Sequence, residues 1–164
     1  MITGTGGGIG REAALTFAHE GAWVVGCGLR VDDAEATVEV VRAAGGTMVS
    51  LQPCNLSEPA QCQALVDFAV RTFDRIDVLF NSAAMAYFNW LEDISDQEWD
   101  RNRPEEVDLV FYLTGAAWPY LKASRGVVVN TDGFLELQEP RLACAHHGQG
   151  RHHRHDPAAG NGRP

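Results

Sequence analysis

A chain of 164 residues with 45% hydrophobic content is long enough for one domain with a real core. Its formal net charge of -9 gives a nucleic-acid backbone or an anionic membrane surface little to bind. Four scattered cysteines, Cys27, Cys54, Cys62 and Cys144, form no CxxC pair, and no signal peptide or long apolar run appears, so a soluble, cytoplasmic chain with reduced thiols is expected.

Ile2-Thr3 reads as the end of a strand, followed by a glycine-rich turn from Gly4 to Gly10 and an amphipathic helix through REAALTFAHE that stops at Gly21. AWVVGCG (22–28) is an apolar run suited to a buried parallel strand, and DDAEATVEVVRAAGG is a helix with an acidic start and a glycine stop. TMVSLQP (47–53) is a third strand. Ser57 is placed to cap the next helix, QCQALVDFAVRTF, with Pro59 in its tolerant first turn. IDVLFNSA (76–83) is the fourth strand. Ser95 and Glu98 make a capping box, Pro104 interrupts that helix, and EEVDLVFYLTGAAWPYL continues as a long helix toward a fifth strand, GVVVNT (126–131). Strands alternating with helices predict an α/β, doubly wound parallel sheet. Ligands of such sheets sit at the carboxyl ends of the strands, where Gly4 to Gly10, Asn55, Asn81 and Asn130 fall.

Composition changes near residue 132. Residues 1–131 read as one domain, and 132–164 as a tail of Gly, Pro, His, Arg and Ala without hydrophobic periodicity, expected to be poorly packed. His146, His147, His152, His153 and His155 cluster there, and neutral imidazoles are good ligands for borderline metals. Nothing in the sequence orders them in space. The other reading is that these histidines come from GC-rich codons read out of frame, with no metal site.

The turn TGTGGGIG (3–10) puts glycine where a strand must bend sharply into a helix, and where a pyrophosphate needs close approach to backbone N–H groups. A flexible loop is the plain alternative. Context separates the two. Thr3-Gly4-x-x-x-Gly8-Ile9-Gly10 resembles the TGxxxGIG signature of the short-chain dehydrogenase/reductase family. CNLSEP (54–59) resembles its adenine-contact segment, DVLFNSAA (77–84) its NNAG strand, VDLVFYLTGAAWPYL (107–121) its long interface helix, and GVVVNT the strand leading to its catalytic serine.

That resemblance covers roughly residues 1 to 131 and implies a Rossmann fold, incomplete on its C-terminal side. It implies NAD or NADP as cofactor, a small alcohol or carbonyl substrate, and cofactor contacts from Thr3, Gly4, Gly8, Ile9, Gly10, Arg30, Asn55, Leu56, Asn81 and Ala83. Departures matter as much. Met1-Ile2 supplies almost none of the residues that family members carry ahead of the turn, so a short, weakened central strand is expected. Gly28 stands where NAD-preferring members carry an acidic residue, and Arg30 is either a partner for a 2′-phosphate or a solvated surface arginine. Asn55 replaces the commoner Asp, with a side-chain carbonyl still able to accept a hydrogen bond. Ser82 and Ala84 depart from NNAG. Asp108 stands at the structural asparagine, where a helix-bend or surface role is expected.

The family's chemistry uses a Tyr-x-x-x-Lys pair and a serine. Those positions fall here on His146, Gly150 and Gly133. Lys122 is the only lysine, and the residue four before it is Trp118. Read in the next frame, the codons permitted by HHGQGRHHRHDPAAGNGRP allow TTAKAAIIAMTRQLAMEG, which resembles the family's lysine-bearing helix. In that frame the codon across Ala145 and His146 is CNC, which never encodes tyrosine. The expectation is therefore a chain that keeps the cofactor half, has no catalytic or metal-binding residues, and lacks the usual dimer-forming helix that follows the lysine in the family, which leaves an oligomer doubtful. Uncovered apolar surface and poor solubility should follow. A non-catalytic dinucleotide-binding module and a His-rich metal binder are the alternatives.

Overall fold

The computed structural model describes residues 1–85 and 93–131. In chain order the elements are β1 (Ile2–Thr3), α1 (Gly8–His19), β2 (Trp23–Cys27), α2 (Val31–Ala43), β3 (Thr47–Leu51), α3 (Pro59–Phe73), β4 (Val78–Asn81), α4 (Asp96–Arg103), α5 (Leu109–Ser124) and β5 (Val127–Asn130). All pairings are parallel and the sheet order is β3-β2-β1-β4-β5, so the chain winds outward one way from β1 and then crosses to the other side of it. This is the doubly wound Rossmann arrangement that alternating elements predict.

Period-two alternation divides the core. Successive strand side chains point to opposite faces, so Val24 and Met48 join Ala14, Ala18, Val38 and Val41 beneath α1 and α2. Val25, Cys27 and Leu79 go to the other face and meet Leu65, Val66 and Ala69 of α3 and Leu113, Ala117 and Leu121 of α5. In α1 the inward stripe is Gly10, Ala14 and Ala18, small residues that let the helix lie close to the sheet.

β1 has only two residues, though it is the central strand. The Met1 amino group donates to the Val78 carbonyl at 2.7 Å, and the Met1 carbonyl accepts from Phe80 N–H at 2.9 Å, extending the ladder by one residue. Burial pushes that amino group down to about 6. Beneath it, at the amino ends of the strands, a cavity of about 310 Å³ is lined by Met1, Phe17, Val24, Phe73, Ile76 and Val78. It lies at the opposite end of the sheet from the glycine turn.

One local expectation is corrected. Ser57 does not cap α3: Glu58 holds the N-cap position, and the Ser57 hydroxyl donates to the Pro104 carbonyl at 3.2 Å. The turn ahead of α3 is closed instead by Asn55, whose Oδ1 accepts from Ser57 N–H at 3.1 Å and whose carbonyl accepts from Glu58 N–H at 3.1 Å. Pro104 interrupts the helix that the Ser95–Glu98 capping box begins, as expected: α4 ends at Arg103 with Pro104 at its C-cap. Proline lacks an N–H and crowds the preceding turn, and here the helix widens into a π turn over Pro104–Asp108 before α5. On α5, Phe111 and Trp118 are exposed, at 74% and 52%.

Candidate functional site

Gly4 (φ 70°) and Gly8 (φ 52°) take the left-handed backbone that bends β1 into α1. At Gly10 a Cβ would overlap the Gly4 carbonyl, so only glycine lets α1 start this close to β1. Where Gly7 and Gly8 would carry a Cβ, no atom of the described residues lies within 4 Å, which leaves the start of α1 open among them. No side chain caps that end and its first turn has no acidic residue, so its positive dipole end is uncompensated.

The turn is held from both sides. The Thr3 hydroxyl accepts from Ser82 N–H at 2.9 Å and Ala83 N–H at 2.8 Å, which draws the end of β4 against Gly4; a Cβ on Gly4 would lie 3.0 Å from the Ala83 Cα. On the β2 side, Thr5 donates its N–H and its hydroxyl to the Cys27 carbonyl at 3.0 Å and 3.2 Å. The Thr37 hydroxyl donates to the Thr5 carbonyl at 2.7 Å and accepts from Arg11 Nε at 2.9 Å, tying α2 and α1 to the turn. None of this Thr5–Thr37–Arg11 network is anticipated from the sequence. Its one signal is Thr37 inside the apolar stripe Ala34, Val38, Val41 of α2.

The remaining expected positions fall along the same carboxyl edge. Gly28, just past β2, accepts from Cys54 N–H at 3.0 Å, which places Asn55 and Leu56 beside the glycine turn. Asn55 Oδ1 is engaged by Ser57, and the Leu56 side chain is buried in the core. Arg30 projects into solvent from the start of α2 with its Nε 2.6 Å from an Asp33 carboxylate oxygen. Ile9 stands 49% exposed at the rim.

Asn81 ends β4. Its Nδ2 donates to Asn130 Oδ1 at 2.8 Å and to Thr114 Oγ1 at 3.4 Å, while its Oδ1 is buried with no partner among the described residues. Ser82 Oγ is likewise buried without a partner among the described residues. Glu106, in the π turn, faces the same edge through Met85: burial, and secondarily the neighbouring Glu105, push its carboxyl up to about 7, opposed by a hydrogen bond from the Met85 backbone. The sequence reading missed Glu106. Asp108 sits 3.4 Å from Arg103 Nε and braces the bend.

The catalytic positions Gly133, His146 and Gly150 and the histidine cluster lie outside the described residues. Lys122 is in the last turn of α5. No helix among the described residues is long and apolar enough to cross a membrane.

Comparison with known proteins gives a consistent result. A model of the family described as short chain dehydrogenase matches residues 1–140. A cyclohexanol dehydrogenase of Acinetobacter sp. (strain SE19) is 35% identical over 139 residues, covering 84% of this chain and 55% of that protein. The 11-beta-hydroxysteroid dehydrogenase 1A of Arabidopsis thaliana is 34% identical over 149 residues, 87% of this chain and 42% of that one. Among solved structures, a metagenomic short-chain oxidoreductase in complex with NADP superposes with a TM-score of 0.76 at 27% identity, covering 84% of this chain and 63% of that chain. The chain thus spans about half the length of the curated relatives it matches.

Proposed function

The chain belongs to the short-chain dehydrogenase family, and from that premise we propose that it binds a nicotinamide dinucleotide along the carboxyl edge of its sheet without completing hydride transfer. The observation that carries the reading is the open start of α1: two glycine positions facing free space at an uncapped helix end, where backbone N–H groups and the helix dipole favour a phosphate. Asn81 Oδ1 adds a buried acceptor awaiting a donor such as a ribose hydroxyl.

When bound, such a dinucleotide supplies hydride chemistry. The residues of this chain would hold and orient it: Gly4, Gly8, Ile9 and Gly10 at the pyrophosphate turn, Asn55 and Leu56 on the adenine side, and Asn81 and Ala83 at the end of β4. Thr3 acts by fixing Ala83 against Gly4. Arg30 reaches a 2′-phosphate only by leaving Asp33, so the Arg30–Asp33 pair sets the balance between NAD and NADP. Polarising and protonating a substrate carbonyl needs a hydroxyl, a phenol and an ammonium; Gly133, His146 and Gly150 supply none of them. Relatives named cyclohexanol dehydrogenase and hydroxysteroid dehydrogenase indicate the alcohol–carbonyl chemistry of the family.

The test is a fluorescence titration of the chain with NADPH, followed by incubation of the complex with cyclohexanone and monitoring at the nicotinamide absorbance band. Saturable binding with no loss of NADPH is expected. Absence of binding, or steady turnover, would overturn the proposal.

A further inference from the structure

At the end of the sheet opposite the glycine turn, a strand-wide slot lies ahead of β1. The central strand has two residues, while its neighbours reach further back: β2 begins at Trp23 and β4 at Val78. Ile2 stands opposite Gly26 on one side and Phe80 on the other. Counting back along both ladders, Met1 lies opposite Val25 and Leu79. The next place lies between Val24 and Val78, and the one before it between Trp23 and Asp77. No strand among the described residues fills those two places. Neighbouring strands lie about 4.8 Å apart, so β2 and β4 leave a gap of about 9.6 Å between them, the width that one extended chain needs. The cavity of about 310 Å³ occupies this gap, with Met1, Trp23, Val24, Asp77 and Val78 among its walls.

The walls carry the polar and apolar groups that a strand requires. The Cys27 carbonyl is turned toward β1, where it accepts from Thr5 N–H. Backbone direction alternates along a strand, so the N–H of Val25 and the carbonyl of Trp23 are turned the same way, into the slot. On the other wall the Val78 carbonyl accepts from the Met1 amino group, so the Val78 N–H faces the slot as well. Side chains placed in the slot would alternate between the two faces of the sheet. One opposite Val24 would meet Phe17 beneath α1, and one opposite Trp23 would meet Ala69 and Phe73 of α3. At the mouth the Trp23 and Phe73 rings pack with centroids 5.2 Å apart, and the Asp77 carboxylate is already paired with Arg75. The inner end is closed by the Met1 amino group. Burial lowers it to about 6 against the opposing pull of Asp77, because its charged form lacks the solvation it would have in water.

We propose that this slot binds the C-terminal end of an extended peptide, two apolar residues inserted parallel to β2 and β4 with the α-carboxylate against the Met1 amino group. The peptide completes the central strand by β-augmentation. Its last residue donates N–H to the Trp23 carbonyl, its carboxylate accepts from Val25 N–H and from the Met1 amine, and the carbonyl before it accepts from Val78 N–H. The two side chains fill the lobes at Phe17 and Phe73. Direction is set by charge: the opposite orientation would bring the peptide's own ammonium against that of Met1. A fatty carboxylate matches the slot in length and charge but leaves its backbone groups unpaired, and a peptide amide gives the buried amine no counter-charge. The site is independent of the dinucleotide edge at the other end of the strands.

The experiment titrates the full chain with acetyl-valyl-leucine by calorimetry at about pH 6, where burial places the Met1 amine, and follows amide exchange of the complex. Saturable binding is expected, with the amides of Val25 and Val78 protected. Acetyl-valyl-leucinamide and octanoate should each bind at least about tenfold more weakly. A chain lengthened by two valines ahead of Met1 supplies the strand in cis, so it should lose peptide binding and show a higher Tm. Nα-acetylation of Met1 in the parent chain should weaken the peptide to the affinity of its amide, a test that stands even where the lengthened chain does not fold. Octanoate binding as tightly as the peptide would overturn the strand pairing. An amide as tight as the acid, or an acetylated chain with unchanged affinity, would overturn the role of the Met1 amine. No binding, binding that persists in the folded lengthened chain, or protection centred on the glycine turn would overturn the site.

Discussion

Replacing Gly10 by alanine should separate packing from binding most sharply when compared with the same change at Gly7. At Gly10 the new Cβ would overlap the Gly4 carbonyl and lie 3.0 Å from the Thr3 carbonyl oxygen, both backbone groups of the strand-to-helix turn that cannot rotate away. Overpacking of this kind costs about 1–3 kcal/mol, offset by a helix-propensity gain of about 1 kcal/mol. So close an overlap with a backbone carbonyl puts the cost at the top of that range, so the net expectation is a loss of about 2 kcal/mol, with α1 displaced from β1 and NADPH affinity down by at least about tenfold. Gly7 has an extended backbone (φ 171°) and nothing within 4 Å of its Cβ position. Gly7→Ala should therefore change stability by less than about 0.5 kcal/mol while placing a methyl group at the open end of α1 and weakening NADPH. Urea denaturation measures the first quantity and fluorescence titration the second. A Gly10→Ala chain as stable as its parent, or a Gly7→Ala chain that binds NADPH unchanged, would refute the reasoning.

Other expectations follow from the same edge of the sheet. The carboxyl of Glu106 is raised from 4.5 to about 7 in the folded chain, so its contribution to stability is complete below 4.5 and is lost as pH rises through about 7. Glu106→Gln should accordingly raise the melting temperature at about pH 8, with the gain shrinking toward about pH 5; a gain independent of pH would contradict the assignment. Asp33→Asn should release Arg30 and shift preference toward NADP over NAD by up to about fivefold, the scale of an exposed ion pair, in parallel titrations with the two cofactors. Deleting residues 132–164 should abolish any affinity for Ni or Zn resin and leave NADPH affinity within about twofold.

The parts of the fold legible in the sequence are those set by local physics. Continuous apolar runs such as WVVGC mark strands covered on both faces, and Ser95 with Glu98 marks a helix start, because these patterns need only a few neighbouring residues. The glycine turn is legible for the same reason: the bend at Gly4 and the close approach at Gly10 each leave glycine as the only residue that fits. What escapes the sequence depends on contacts between distant segments. Ser57 has the right residue type for a cap, but Asn55 closes that turn and the Ser57 hydroxyl goes to Pro104, 47 residues away. Pro104 ends α4 as local rules expect, but the π turn over 104–108 that joins it to α5 is not legible from those rules. Glu106 reads as an ordinary surface acid of a helix start, and its burial beside Met85 exists only in the folded chain. Thr37 and Arg11 are polar residues whose partners are set by the meeting of three elements at the turn.

The most direct measurement is amide hydrogen exchange of the full chain with and without saturating NADPH. Protection is expected at Gly4 to Gly10, at 54–56 and at Asn81 to Ala83, with little change around the cavity at the amino ends of the strands. No protection at the glycine turn, or protection centred on Phe17, Phe73 and Val78 instead, would contradict the claim that this edge of the sheet holds the dinucleotide.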